Sequence, residues 1–89
     1  MTNDSPPLTA EAALGWLRSL SVDIRAAAVL DAAGAVVAGD PSLADATPAR
    51  YVLVARSESR AVVVRHGRRA LEGLLRADMR AALDALESA

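Results

Sequence analysis

Apolar residues recur along this chain with two different periods. Ala13, Trp16, Leu17 and Leu20 are spaced as one stripe of an α-helix. Thr9 stands where a side chain caps such a helix, and Glu11 falls in the first turn, where the helix dipole favours an anion. Leu8 and Ala13 hold the positions of a hydrophobic staple. The polar residues Ser19 and Ser21 predict the end of the helix. After Ser21 the period changes. Residues 24–31 are apolar on both alternating sets, Ile24/Ala26/Ala28/Leu30 and Ala27/Val29, which predicts a central strand covered on both faces. Asp31 and Gly34 bound a turn, and residues 35–38 predict a short second strand. Gly39, Asp40 and Pro41 break it. Residues 41–49 hold two prolines and have room for one helical turn at most. Residues 51–56 and 60–66, rich in valine, predict a second strand pair. Residues 68–86 predict an amphipathic helix with Leu71, Leu74, Leu75, Met79, Ala82 and Leu86 on one face. On its wet side the pairs Glu72/Arg76 and Arg80/Asp84 lie four apart.

Charge selects the register of the second hairpin. A three-residue turn would set Arg56 opposite Arg60, and like charges in that position repel. A turn of two residues, Glu58 and Ser59, or of four instead pairs Arg56 with Ala61, Val54 with Val63 and Val52 with Arg65. One face then holds Leu53, Ala55, Val62 and Val64, with Tyr51 and His66 at its end. The other holds Val52, Val54, Ala61 and Val63, flanked by Arg50, Arg56 and Arg65. The first face is the better floor for two helices. The second is an apolar patch with a charged rim, so Val52, Val54, Val63, Arg50, Arg56 and Arg65 form the candidate interface. The alternative is that residues 41–49 fold over part of it, with Leu43 as their one large apolar side chain.

These elements predict an α+β fold: a four-stranded antiparallel sheet with the N- and C-terminal helices on one face, in the order α-β-β-loop-β-β-α. Residues 1–7 read as a disordered lead-in and 8–89 as a single domain. The chain has no Phe, one Trp and one Tyr, so large core side chains are scarce and self-association would add burial. A net charge of −1 argues against general polyanion binding, and hence against a specific nucleic-acid partner. All the basic residues are Arg, a composition expected of a GC-rich bacterial genome. With no Cys there is no disulfide and no Cys-ligated zinc. The start lacks a signal-peptide pattern and the apolar runs are too short to span a bilayer, so a cytoplasmic location is expected.

Candidate chemistry is sparse. Between residues 50 and 69 six Arg stand against Glu58 alone. If the last helix starts at Arg68, then His66, Gly67, Arg68 and Arg69 form a candidate anion-binding corner at its N-terminus. The alternative is that these arginines are solvated or paired with Glu72. His66 is the only His, so neither a metal site nor a Ser-His-Asp set follows from it. Ser57, Glu58 and Ser59 are turn residues. The two glycines Gly34 and Gly39 are followed by Asp-Pro, which is no phosphate loop. No enzyme and no cofactor are expected.

The run from Leu14 to Ala38, a helix followed by a strand ending in Asp31-Ala-Ala-Gly34 and an apolar strand, resembles the opening of roadblock/LC7 domains. The two Val-rich strands and the segment Leu71-Glu-Gly-Leu-Leu-Arg76 are similar to that family's end. The resemblance implies a roadblock/LC7-like domain with the middle helix and one strand reduced or missing. It implies a non-enzymatic scaffold or regulator, a homodimer or higher homo-oligomer, acting on a small Ras-like GTPase or signalling partner. Two other readings remain open: a small ligand- or anion-sensing module using the corner at His66, and an assembly protein polymerising through sheet edges.

Overall fold

The Thr9 hydroxyl accepts the backbone N–H of Ala12 at 3.1 Å, which starts the first helix at the residue the sequence predicts. A computed structural model describes residues 9–88. The expected lead-in over residues 1–7 and the Leu8 half of the staple lie outside the described residues. The elements are α1 (Ala10–Leu20), β1 (Ile24–Asp31), β2 (Val36–Gly39), a 3-10 turn (Pro41–Leu43), β3 (Val52–Arg56), β4 (Arg60–His66) and α2 (Glu72–Glu87). The strands form one antiparallel sheet in the order β2-β1-β4-β3, so β1 is central as its two apolar sets require. Ala13, Leu14 and Leu17 of α1 and Leu75, Met79 and Leu83 of α2 share one buried cluster with Ala27, Val29, Leu53, Val62 and Val64. Both helices therefore cover the same face of the sheet.

The local devices follow from the residues. Asp31 Oδ1 accepts the N–H groups of Ala33 and Ala35 at 2.9 and 3.0 Å, and Gly34 takes the positive φ of +90° that closes the turn. The second hairpin has the register chosen by charge, with Val52 opposite Arg65, Val54 opposite Val63 and Arg56 opposite Ala61. The ladder continues to Ser57, whose N–H donates to the Arg60 carbonyl at 2.9 Å, leaving Glu58 and Ser59 as the turn. The Glu87 carboxylate accepts from the hydroxyls of Ser57 and Ser59, and Arg60 Nη1 donates to the Leu86 carbonyl at 2.6 Å. The end of α2 is thus tied to the hairpin.

Four expectations need correction. First, α2 begins at Glu72 rather than Arg68. Arg69 N–H donates to the Asp23 carboxylate at 3.0 Å and Gly67 N–H to the Asp23 carbonyl at 3.0 Å, which holds residues 67–70 as a turn. Second, the buried stripe of α2 is Leu75, Met79, Ala82, Leu83 and Leu86; Leu71 and Leu74 are both 64% exposed, and Trp16 is only partly buried. Third, the wet-side pairs do not form: Glu72 faces His66, and Arg80 Nη1 donates to the Arg56 carbonyl at 3.3 Å. Fourth, Val63 is a core residue. Leu43 seats against Ala26, Ala28, Leu30, Ala61 and Val63, so residues 41–49 close the middle of the second face. One leucine suffices because three of those five side chains are alanine, which leaves little volume to fill.

Candidate functional site

The arginine-rimmed patch is narrower than the register alone implies. With Val63 fully buried, its apolar content is Val52 and Val54, both half-buried. Arg50, Arg56 and Arg65 are exposed around them, as the register requires. Arg50 stands 5.2 Å from the centre of the Tyr51 ring, and Arg56 Nη2 is 3.5 Å from the Ala46 carbonyl. The patch is a narrow strip along β3, not a whole sheet face.

The anion corner is taken apart by the fold. Arg68 and Arg69 precede α2, and the anion at their backbone is the chain's own Asp23. Asp23 sits at φ +60°, accepts Arg25 Nε at 2.7 Å and Arg69 N–H at 3.0 Å, and packs directly on Gly67. The Arg69 backbone N–H, then the Arg25 guanidinium, hold its carboxyl below the usual carboxylate range. His66 is buried rather than open to a ligand. Its Nδ1 lies 2.9 Å from the Gly67 carbonyl and so carries the proton; the Tyr51 ring meets it edge-on at 5.6 Å. Its Nε2 makes no hydrogen bond, with Glu72 Oε1 3.3 Å away.

A Cβ at position 67 would overlap the Asp23 carboxylate. Gly67→Ala is therefore expected to push the Asp23 carboxylate off the Arg69 N–H and to lower the denaturant midpoint. The acid limb provides a second readout. Because Asp23 is held below its unfolded pKa, its contribution is complete above about pH 5 and is lost as pH falls through the folded value. The variant's melting temperature should then fall less than the parent's below pH 4. An identical acid limb would show that Asp23 does not anchor this turn.

Three residues that the sequence stripes assign to the core, Leu20, Leu71 and Leu74, instead line a surface groove. Leu20 (52% exposed), Val22 (62%), Leu71 and Leu74 surround a groove of about 240 Å³ between the end of α1 and the start of α2. Ser21 Oγ lies 3.3 Å from Asp78 Oδ2 at its side. Leu71, the residue before α2, and the α2 positions Leu74, Asp78, Ala81 and Ala85 follow 3-4-3-4 spacing, a second stripe beside the buried one. The signal was legible: α2 carries more apolar positions than one core-facing stripe holds.

The groove is lined by Leu20, Val22, Ala70, Leu71, Leu74 and Leu75, with Ser21 and Asp78 as its polar side chains. Ser57 and Ser59 meet Glu87, whose carboxyl those hydroxyls hold below the ordinary range, which makes it an acceptor in a structural tie. Among the described residues, no three His, Cys, Asp or Glu side chains are grouped to hold a metal ion, and no helix is long and apolar enough to cross a membrane. No family model, curated protein or solved structure matches the chain.

Proposed function

We propose that this chain is a non-enzymatic scaffold or regulatory domain that self-associates through the groove between α1 and α2. The observation that carries this reading is the gathering of Leu20, Val22, Leu71 and Leu74 at one place. Val37 is the only other large apolar side chain exposed among the described residues. Scattered apolar residues need no explanation, but a contiguous group marks an interaction site. A second copy suits it because the α2 stripe is apolar apart from Asp78, which already has Ser21 as a partner. Its small Ala81 and Ala85 permit close helix approach. A core without Phe also gains from further burial on association.

The roadblock/LC7 resemblance supplies the class of partner: a small Ras-like GTPase, which the assembled chain would regulate in a bacterial cytoplasm without performing chemistry itself. The chain has no Lys and no glycine-rich phosphate loop with which to hold a nucleotide. Titration of the purified chain with GTP is therefore expected to show neither saturation at micromolar concentration nor turnover. A small Ras-like GTPase from the same genome should bind it in a nucleotide-dependent way. GTP turnover by the chain alone would overturn the non-enzymatic reading, saturable binding without turnover would favour a ligand-sensing module, and indifference to the GTPase would remove that partner.

A further inference from the structure

The outer edge of β3 has chemistry of its own. Ser57 N–H donates to the Arg60 carbonyl at 2.9 Å and His66 N–H to the Tyr51 carbonyl at 2.8 Å. Hydrogen-bonded pairs alternate along an antiparallel ladder, so Leu53 and Ala55 direct their backbone groups to β4. Val52, Val54 and Arg56 direct theirs outward. Some of these groups are already engaged. Val52 exchanges bonds of 3.0 and 3.3 Å with Ala49, and the Arg56 carbonyl receives Arg80 Nη1. Among the described residues, nothing engages the outward N–H and C=O of Val54 or the N–H of Arg56. Beside them runs a groove of about 220 Å³ lined by Leu53, Val54, Ala55, Arg76, Met79 and Arg80.

Positive charge flanks this edge on both faces of the sheet. Arg76 and Arg80 stand on the helix side, and Arg50, Arg56 and Arg65 on the other; all five are exposed. The one arginine–carboxylate pair among the described residues, Arg25 with Asp23, involves none of them. Strand β3 itself contains no acidic residue. An open main-chain donor and acceptor between two arginine groups fits one kind of occupant. A second copy does not suit it, because symmetric pairing would bring the same arginines against each other.

We propose that the β3 edge takes a short, extended, acidic segment of another protein, added as a further strand beside Val54 with carboxylates reaching the arginines. Main-chain bonds to Val54 and Arg56 give the segment its direction and register, as in strand addition generally. The arginines select acid and speed its approach.

The test titrates the ¹⁵N-labelled full chain at low salt with an end-blocked octapeptide alternating valine and glutamate. Saturable shifts centred on the Val54 and Arg56 amides are expected. Binding should weaken at least about tenfold when lysine replaces glutamate, or in a folded Arg65→Glu/Arg76→Glu variant, both positions being exposed. It should weaken as much when successive central residues of the peptide are N-methylated, so that neither of its edges can donate. Equal affinity of the N-methylated peptide would reduce the surface to charge attraction and overturn strand addition. Shifts centred on Leu20, Val22 and Leu74 would place the peptide in the interhelical groove and overturn the assignment to β3. No saturation up to roughly millimolar peptide would also overturn it.

Discussion

Purified Val62→Asp is expected to be unfolded at room temperature. Val62 is fully buried on β4, between Val29 of β1 and Ala55 of β3, beneath both helices. A carboxylate there has no partner and no route to water, and such a change costs more than about 4–5 kcal/mol. A chain of 89 residues has roughly 4–13 kcal/mol in total. Far-ultraviolet circular dichroism should show loss of both helix and sheet. Val54→Asp, on the opposite face and half-buried, is expected to stay folded. Leu53→Asp should fall between them, because Leu53 borders the same groove as Arg76 and Arg80, which can meet the new charge. Equal unfolding by Val54→Asp and Val62→Asp would show that β3 is buried on both sides.

Leu43→Ala is expected to cost about 2–5 kcal/mol by urea denaturation, the range of a large-to-small change in a core. The position looks peripheral in sequence, between two prolines in a loop. Its side chain nevertheless supplies the only large residue of the 3-10 turn that covers Ala28, Ala61 and Val63. The turn is fixed at both ends: Asp40 caps it through the Ser42 N–H at 2.9 Å, and Asp45 N–H donates to the Gly34 carbonyl at 2.9 Å. The surroundings therefore cannot collapse far into the gap. A loss under about 1 kcal/mol would mean that this segment rests on the sheet without supporting it.

The parts of the fold legible in the sequence were those set by neighbours or by period. The β3–β4 register followed from the repulsion between Arg56 and Arg60, and the central place of β1 from apolar residues on both alternating sets. The parts that escaped depend on contacts distant along the chain. Asp23 reaches Arg69 and delays α2 to Glu72, a bond across 46 positions that no local pattern announces. The face that α2 turns to the sheet is centred on Leu75, Met79, Leu83 and Leu86, which leaves Leu74 outside it, while Leu71 precedes the helix. The candidate anion corner failed for the same reason, since it needed Arg68 in the first helical turn. Val63 was misplaced because the depth of the second face depends on its alanines, which one leucine is long enough to cover.

The most direct test of the central claim is sedimentation of the wild-type chain beside Leu74→Asp across concentrations from micromolar to millimolar. Leu74 is 64% exposed, so the substitution should leave the monomer folded while placing a charge at the centre of the groove. Wild type is expected to rise with concentration from monomer mass to a plateau at twice that, with Leu74→Asp remaining at monomer mass throughout. A wild-type chain that stays monomeric, or a folded Leu74→Asp that assembles as readily as wild type, would contradict self-association through this groove.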